Sequence, residues 1–285
     1  MNDKISIIGG DLRIKKLAEM LANDGIKVYT YGLDTEKSDN IIVCDSIKQL
    51  VESADIIIGP VPFSSNNKTI NATFSSEEIL LTDFTKDLNG KTFIAGAIRD
   101  NVYELLKEQD VEIIDILKRE ELSVLNSIST AEGAIQIAME QTDITLCGSN
   151  ILILGFGRIG KVLSKMLDGI GANVYCEARK PQDLAWIQSY GYIPIDLKKL
   201  DDNLNKFDII INTIPSVVLD ANNLDKIKED CLIIDLASNP GGVDREEVKK
   251  RKIKFVWALS LPGKVAPVTS AKYIKETIYN VLNIS

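Results

Sequence analysis

The sequence predicts an α/β protein with two Rossmann-like domains, each built on a parallel sheet, joined by a hinge helix. Strand-like apolar runs alternate with amphipathic helices in both halves of the chain, which is the pattern of parallel sheets with helical crossovers. A length of 285 residues with 45% hydrophobic content suffices for two separate cores. We therefore predict an N-terminal substrate-binding and catalytic domain at residues 1–127. An NAD(P)-binding domain with the C-terminal helix would follow at residues 128–285.

The composition excludes several classes of function. The net charge of −8 disfavours binding to nucleic acid or anionic lipid, because phosphate binding needs a surplus of positive charge. The chain contains no histidine, which rules out Ser-His-Asp, Cys-His and histidine–metal sites. Its four cysteines are far apart with no C-x-x-C pair, so we expect neither a metal site nor disulfides. We find no signal-like or membrane-spanning run and expect a cytoplasmic protein.

The first half is predicted to hold strands at residues 4–8, 26–31, 55–58, 92–95 and 111–114. Helices are predicted to begin near Asp11 and near Asp100, and another to follow a polar loop that extends to Asn71. In the first helix, apolar residues at helical spacing form one face that would pack on the sheet, namely Ile14, Leu17, Ala18 and Leu21.

A connecting helix is predicted from Ser129 to about Asp143. Ser129 and Glu132 have the S-x-x-E spacing of a capping box, in which both side chains satisfy backbone donors at a helix start. The buried stripe would consist mainly of small residues and let another element approach closely: Ala131, Ala134, Ile135 and Ala138. We interpret this segment as an interdomain hinge.

The second half repeats the alternation, with predicted strands at residues 150–154, 173–176, 192–195, 208–211, 232–235 and 253–257. Helices are predicted from the first strand to about Ile170, from Pro181, and over residues 244–251. Residues 260–269 are predicted to form a rigid loop. The last helix would begin near Thr269 and pack its apolar face back toward the N-terminal domain.

The first strand of the second half leads into a turn with the G-x-G-x-x-G pattern, Gly155-Phe156-Gly157-Arg158-Ile159-Gly160. Gly155 permits the tight turn, Gly157 lets the backbone approach a pyrophosphate, and Gly160 lets helix and strand pack closely. The helix N-terminus, with Arg158 and Ile159, would offer backbone N–H groups to the phosphates. Because the pattern lies between a strand and an amphipathic helix, we predict a nicotinamide dinucleotide site. The alternative is a glycine-rich turn without a nucleotide.

The second strand of this domain ends at residues that give conflicting indications about the cofactor. Glu177 can accept a hydrogen bond from a free ribose 2′-hydroxyl, which favours NAD. Arg179 and Lys180 can pair with a 2′-phosphate, which favours NADP. We predict NADP, because two adjacent cations are otherwise unexplained, and NAD stays the alternative.

Two further strands end in segments that can line the cofactor, because ligands of open α/β sheets bind at the carboxyl ends of the strands. Asn212, Thr213 and Pro215 follow one strand, and Ala237 and Ser238 follow the next. The hydroxyl and amide side chains among them can bond to ribose or nicotinamide. Ordinary turn chemistry would favour the same residue types.

In the first domain, Gly9 and Gly10 form another glycine turn, but without the third glycine of a dinucleotide site. We therefore expect no second dinucleotide there. Asp11 is predicted to cap the first helix. Arg13, in the first turn of that helix, is predicted to bind a substrate carboxylate in the cleft between the domains.

Seven motifs, in order and together, resemble the family of dipicolinate synthase A subunits over nearly the whole chain. They are Gly9-Gly10-Asp11-x-Arg13, Asn126-Ser127-Ile128-x-Thr130-x-Glu132-Gly133, Gln141-Thr142-Asp143, Gly155-x-Gly157-Arg158-x-Gly160, Ile211-Asn212-Thr213-Ile214-Pro215-Ser216, Asp235-Leu236-Ala237-Ser238-x-Pro240-Gly241-Gly242 and Leu261-Pro262-Gly263-x-Val265-Ala266-Pro267. Two residues depart from the family pattern: Ser129 stands where we expect proline, and Glu177 stands where we expect a small or neutral residue.

The resemblance implies an NADP-dependent oxidoreductase subunit of dipicolinate formation in the mother cell of a sporulating bacterium. It also implies that the partner is a smaller, flavoprotein-like B subunit, and we expect contacts between copies of the chain as well. The implied substrate is hydroxytetrahydrodipicolinate, a product of the lysine pathway, or its dehydrated form. Loss of water and transfer of a hydride to NADP⁺ would then give the aromatic dipicolinate.

For this reaction we expect the cyclic dicarboxylate to bind between the domains, with Arg13 on one carboxylate. Four residues are predicted to position the ring: Asn126, Ser127, Thr130 and Ser238. Candidates for the base that removes a proton next to the imine are Asp11, Glu132 and ordered water, although a capping role would already explain Glu132.

Two alternative functions remain open from the residues alone. One is a non-catalytic module that senses NAD(P)H and signals to a partner. The other is an amino-acid or 2-hydroxy-acid dehydrogenase, which has the same two-domain layout. The absence of histidine counts against a 2-hydroxy-acid dehydrogenase, because oxidising a carbinol needs a strong general base.

Overall fold

The structure is a computed structural model that describes residues 4–284, and it forms two compact units. The first unit runs to Leu125 and takes up the chain again from Ala266, and the second comprises Asn126–Val265. The predicted second domain began at residue 128 and kept the C-terminal helix, whereas the contacts place that helix in the first unit. Our expectations about the start of the chain fall partly on residues 1–3, which lie outside the described residues.

The first unit contains most of the strands and helices of the N-terminal half and the last helix. Its strands are β1 (Lys4–Ile8), β2 (Lys27–Tyr31), β3 (Ile41–Val43), β4 (Ile56–Ile58), β5 (Thr69–Ile70), β6 (Ile79–Leu80), β7 (Lys91–Ala95) and β8 (Val111–Asp115). Its helices are α1 (Leu12–Asn23), α2 (Ile47–Ser53), α3 (Leu81–Phe84), α4 (Asp100–Leu106) and α11 (Pro267–Leu282). Six strands form a parallel sheet in the order β3-β2-β1-β4-β7-β8, while β5 and β6 pair as an antiparallel ribbon.

Helix α1 packs against α11 within the first unit. Asp11 caps α1 by accepting from the backbone N–H of Arg13 at 2.9 Å, as predicted. The predicted apolar face of α1 is completely buried, and the buried face of α11 joins the same core through Ala271, Ile274 and Ile278. This packing confirms that the C-terminal helix returns to the N-terminal domain. It explains why contacts assign the helix to that unit.

The second unit has the strand order of a dinucleotide-binding domain. Its strands are β9 (Asn150–Leu154), β10 (Asn173–Ala178), β11 (Ile193–Asp196), β12 (Ile209–Asn212), β13 (Leu232–Asp235) and β14 (Lys254–Trp257). Its helices are α5 (Glu120–Gln141), which begins in the first unit, α6 (Arg158–Ile170), α7 (Pro181–Ser189), α8 (Ala221–Leu224), α9 (Arg245–Arg251) and α10 (Leu261–Val265). All six strands are parallel in the order β11-β10-β9-β12-β13-β14.

The central strands of the second unit are buried on both faces. Along β9, Ile151 and Ile153 belong to one apolar core, and Leu152 and Leu154 belong to the core on the other side of the sheet. A continuous apolar run is typical of a strand covered by helices on both faces. Two parallel-sheet units joined through α5 confirm the predicted fold class.

The predicted capping box at Ser129 and Glu132 is wrong. Helix α5 already begins at Glu120, so both residues lie inside it, with Ser129 buried and Glu132 exposed. The acidic pair Glu120 and Glu121 in the first turn favours the earlier start, because negative charge stabilises a helix N-terminus. The predicted small-residue stripe is present, since Ala131, Ala134 and Ala138 are fully buried.

Other departures concern short segments. Strand β3 and helix α2 were not predicted, and the polar loop that was to extend to Asn71 contains β5. The predicted rigid loop at residues 260–269 is instead mostly helical, because Pro262 and Pro267 lie in the first turns of α10 and α11, where proline is tolerated. Over residues 4–284, no helix is long and apolar enough to span a membrane.

Candidate functional site

The glycine turn between β9 and α6 presents one open position. Gly155 has φ +92°, and a Cβ added there would lie 2.7 Å from Oγ1 of Thr213. At Gly160 an added Cβ would collide with the Gly155 carbonyl oxygen. At Gly157, by contrast, no atom lies within 4 Å of an added Cβ. Two glycines of the pattern are therefore required by the chain itself, and Gly157 keeps the backbone open to something outside it.

Helix α6 begins at this open position without a side-chain cap. Gly157 is the N-cap residue, and its conformation is extended with no side-chain cap hydrogen bond. Arg158 is exposed and Ile159 packs partly into the core, so the first-turn backbone borders the open face. Uncapped N–H groups at a helix N-terminus attract anions through hydrogen bonds and the helix dipole. The turn can therefore hold a pyrophosphate.

Glu177, at the end of β10, is turned into the protein. It is 1% exposed, and its Oε2 accepts from the Gly155 N–H at 3.2 Å. Its Oε1 is buried without a hydrogen-bond partner among the described residues. Burial raises the pKa of Glu177, while the bond from Gly155 and the charge of Arg179 oppose that shift. One oxygen of the Glu177 carboxyl group thus holds the glycine turn by a hydrogen bond, and the other oxygen has no hydrogen-bond partner among the described residues.

Arg179 and Lys180 lie beyond Glu177 and are exposed. Arg179 lines a small pocket of about 210 Å³ whose other lining residues are Leu197, Ile214, Ser216, Val217 and Val218. Lys180 is the N-cap residue of α7, and Pro181 begins that helix as predicted. The cationic end of β10 therefore borders a small pocket of mixed polarity at the carboxyl edge of the sheet.

Asn212 belongs to a buried network that fixes the ends of β12 and β13. It is completely buried, and its Nδ2 donates to Oδ1 of Asp235 at 2.7 Å and to the Ile214 carbonyl at 3.0 Å. Asp235 also accepts from the backbone N–H groups of Ala237 and Gly242. Asn212 therefore shapes the turns, and its side chain bonds within the protein. Asp235 was not predicted to have a role, and it lies directly opposite Asn212 in the register of β12 and β13.

The remaining cofactor candidates lie at the same sheet edge. The Thr213 hydroxyl donates to the Leu154 carbonyl at 2.8 Å, so it ties β12 to the glycine turn. Pro215 and Ser238 are exposed. Ala237 is buried, and its carbonyl accepts from Nε1 of Trp257 at 2.9 Å.

In the first unit, Arg13 and Asp11 form a tight ion pair. Arg13 is only 7% exposed, and its Nε and Nη2 both donate to the Asp11 carboxylate. Nη2 also donates to the Val61 carbonyl. The turn at Gly9 and Gly10 is occupied by the chain, because Gly10 N–H donates to the Asn71 carbonyl at 2.8 Å.

The candidate ring-positioning residues on α5 differ in exposure. Asn126 and Thr130 are half-buried, and the Thr130 hydroxyl donates to the Asn126 carbonyl at 2.8 Å. Ser127 is buried. Glu132 is exposed and has no capping role. The structure thus brings the cofactor candidates together at one edge of the second sheet, and it places Arg13 and Asp11 at the first sheet's β1–α1 turn.

Comparison with known proteins identifies similar sequences for both halves. Residues 4–117 match the family described as the N-terminal domain of the dipicolinate synthase A subunit. Residues 124–248 match the NAD-binding domain of D-isomer specific 2-hydroxyacid dehydrogenases. The chain is 31% identical to the dipicolinate synthase A subunit of Bacillus subtilis over 283 residues, which cover 98% of this chain and 95% of that protein.

Two solved structures share the fold over nearly the whole chain. The A subunit of dipicolinate synthase from Bacillus halodurans is 30% identical with a TM-score of 0.91, covering 98% of this chain and 97% of that chain. The corresponding subunit from Bacillus subtilis is 30% identical with a TM-score of 0.89, covering 98% and 95%.

Proposed function

The chain belongs to the family of dipicolinate synthase A subunits, and from that premise we propose that it is the NADP-dependent oxidoreductase subunit that forms dipicolinate (pyridine-2,6-dicarboxylate). The proposed substrate is hydroxytetrahydrodipicolinate or its dehydrated form, a lysine-pathway intermediate. The observation that carries the proposal is the open Gly157 at the uncapped N-terminus of α6. A B subunit is the proposed partner, and the proposed location is the mother cell of a sporulating bacterium.

The cofactor would lie along the carboxyl edge of the second sheet. The backbone of Gly157, Arg158 and Ile159 would hold the pyrophosphate, because these groups begin α6 beside open space. The Asn212–Asp235 network would keep the neighbouring turns in place without touching the cofactor. When bound, NADP⁺ supplies the hydride acceptor for the oxidation.

The preference for NADP rests on how Glu177 and Arg179 are placed. An acidic residue reads a free 2′-hydroxyl only if its carboxylate reaches the ribose. Glu177 is 1% exposed and bonded to Gly155, so its carboxylate is withdrawn from solvent. Arg179 and Lys180 are exposed and can pair with a 2′-phosphate. These placements favour NADP.

Arg13 is the proposed ligand of a substrate carboxylate. Asp11 and Val61 use its Nε and Nη2, which leaves Nη1 for the substrate and fixes the plane of the guanidinium. Asp11 then acts as a positioning residue. The exposed carboxylate of Glu132, or water, would accept the ring proton. The residues proposed to position the ring remain Asn126, Ser127, Thr130 and Ser238.

The proposed reaction balances without another oxidant. Hydroxytetrahydrodipicolinate loses water to give the dihydro compound. Loss of one hydride to NADP⁺ and one proton to the base or water then gives the aromatic ring. Because aromatisation supplies driving force, orientation of the substrate is the main demand on the protein, and no histidine is required.

Reconstitution with the B subunit tests the proposal. With both subunits, the lysine-pathway intermediate and NADP⁺, we expect an ultraviolet-absorbing pyridine to accumulate together with NADPH. NAD⁺ in parallel should give a lower kcat/KM. Product formation at equal rates without any nicotinamide cofactor would contradict the proposal.

A dehydrogenase of the 2-hydroxy-acid type is the second candidate, favoured by the match of residues 124–248. It would oxidise 2-hydroxy acids in the absence of the B subunit. A third reading, an NAD(P)H sensor, predicts that the cofactor is bound and never consumed. The reconstitution assay separates the proposed function from the other two, and a parallel assay with a 2-hydroxy acid and no B subunit separates the dehydrogenase from the sensor.

A further inference from the structure

Helices α6 and α7 leave an apolar groove on the surface of the second unit. Its volume is about 730 Å³. Its apolar lining comes from Ile128 on α5, Val162 and Met166 on α6, and Tyr192 after α7. We call this surface the α6–α7 groove. None of these residues takes part in the proposed binding of cofactor or substrate.

Of the aromatic side chains at the α6–α7 groove, Tyr190 lines it and Trp186 stacks on Tyr190, and both are largely exposed. Tyr190 is 53% exposed and Trp186 is 55% exposed, and their rings stack with centroids 5.5 Å apart. Tyr190 also contacts the rings of Phe156 and Tyr192, each with centroids 6.2 Å away. Tryptophan and tyrosine held in place beside an apolar depression are the residue types that carry most of the energy at protein interfaces.

Two lysines also line the α6–α7 groove. Lys161 and Lys165 lie one helical turn apart on α6, line the groove and are exposed. The ion pairs seen over residues 4–284 involve neither of them, and Nζ of Lys161 lies 5.7 Å from the Phe156 ring centroid. The groove lining contains no carboxylate. Burial raises the pKa of Tyr192, and the charge of Asp168 adds to that shift.

The charges favour a different protein over a second copy as the occupant. In a two-fold contact the same patch meets itself, so Lys161 and Lys165 would face their own copies. The chain as a whole has a net charge of −8, whereas the charged residues that line the groove are Lys161 and Lys165. Complementary charge across an interface calls for an acidic occupant.

We propose that the α6–α7 groove is the docking site of the partner subunit, which inserts an acidic segment bearing an apolar side chain. Lys161 and Lys165 pair with its carboxylates, and the apolar side chain fills the space beside Met166. The identity of the partner rests on the proposed function. The position and chemistry of the site rest on the groove.

Gly169 allows the groove to be filled without disturbing the fold. It lies in α6 and lines the groove, and no atom lies within 4 Å of a Cβ added there. A larger side chain therefore enters open space, and replacing glycine within a helix also favours the helix. Gly169→Leu should block the occupant and leave the protein folded.

The test measures the affinity of the full chain for the B subunit of the same organism by titration calorimetry. Gly169→Leu and Lys165→Glu should each raise the Kd for the B subunit at least tenfold. Lys249 on α9 is exposed in the same unit and provides matched controls, since Lys249→Leu and Lys249→Glu should bind within twofold of the parent. All four variants should keep the parent's melting temperature and NADPH affinity.

Three results would overturn the inference. Both groove variants binding the B subunit within twofold of the parent would show that the groove is not the site. Altered self-association by sedimentation, with binding to the B subunit unchanged, would identify a second copy as the occupant. If the parent chain itself does not bind the B subunit, the proposed function loses its partner. This result is distinguishable from the other two, because in both of those the parent chain still binds the B subunit.

Discussion

The three glycines of the turn after β9 are glycine for different structural reasons. Gly155 and Gly160 are needed because an added Cβ would meet the chain itself. Gly157 has open space, so folding does not require glycine there. Its absence of a side chain is explained by a ligand that approaches the backbone closely.

Gly157→Val should therefore separate binding from folding. Its φ of −86° suits any residue, and we expect a loss of about 1 kcal/mol or less in unfolding free energy. The added methyl groups would occupy the pyrophosphate position, so NADPH affinity, measured by fluorescence titration, should fall at least tenfold. Gly160→Val is the control and should impair folding. NADPH binding to the Gly157 variant at parental affinity would contradict the assignment.

Glu177 provides a test through pH. Burial raises its pKa above the usual 4.5, so the folded state holds the proton more tightly than the unfolded state. The resulting stability is present below pH 4.5 and is lost as the pH rises through the folded-state pKa. Glu177→Gln puts a group that stays neutral in place of the carboxyl, so the unfolding free energy of the variant relative to the parent should rise as the pH increases from 4.5 through the folded-state pKa. Urea titrations at several pH values measure this difference.

The matched control for Glu177 is the exposed Glu229. Glu229→Gln, measured in the same titrations, controls for replacing a carboxylate by an amide. A Glu177→Gln variant whose stability relative to the parent stays constant over that range would mean that the carboxyl is not desolvated as the structure has it.

Arg13 is expected to contribute to substrate binding and not to cofactor binding. Arg13→Ala should raise the KM for the dicarboxylate at least tenfold while the Kd for NADPH stays unchanged. Arg13→Lys keeps the charge but loses the planar fork that engages Asp11, so it should recover little of the affinity. Steady-state kinetics give both values. If the Arg13→Ala variant has the same steady-state kinetics as the parent, Arg13 does not bind the substrate.

Among the secondary-structure elements, those buried in the sheets were the predictable ones. The runs around Ile151 and Ile233 are apolar because both faces of their strands are covered, and such runs are readable from sequence. Strand β3 has three residues, too few for a period to show. Helix α5 was predicted to begin too late because Ser129 and Glu132 have the spacing of a cap, while the residues before them are compatible with helix.

The part of the candidate site that could be predicted from sequence is the part where the backbone conformation accepts only one type of residue. The glycines could be identified because glycine alone fits Gly155 and Gly160. The inward turn of Glu177 and the pairing of Asn212 with Asp235 depend on side-chain contacts between strands. Such contacts follow from packing, which a single sequence does not display.

Helix α11 packs within the first unit, so a substitution in α11 should change the stability of that unit. Ile274 is 1% exposed in the core beside α1, so Ile274→Ala should cost about 2–5 kcal/mol of unfolding free energy. Because the cofactor candidates belong to the second unit, NADPH affinity should change less than twofold. Denaturant titration with parallel NADPH binding measures both. Lys272→Ala, exposed on the same helix, is the control, and equal stability of both variants would contradict the packing.

The two sheets of the chain have the same strand order, but the turn after the first strand differs between the two units. In the second unit the turn is open at Gly157, whereas in the first unit the backbone of Asn71 occupies the turn at Gly10. One unit can therefore accept a dinucleotide, and the other offers the Arg13–Asp11 pair. On a molecule with a net charge of −8, an anionic substrate needs a locally placed cation, and Arg13 is the one that we propose.

The stoichiometry of the reconstituted reaction tests the central claim most directly. With both subunits and NADP⁺, the absorbances of NADPH and of the pyridine product are followed in the same sample. We predict one NADPH for each dipicolinate throughout the time course. Dipicolinate that accumulates without NADPH, or NADP⁺ that is bound but never reduced, would contradict the assignment of this chain as the oxidoreductase subunit.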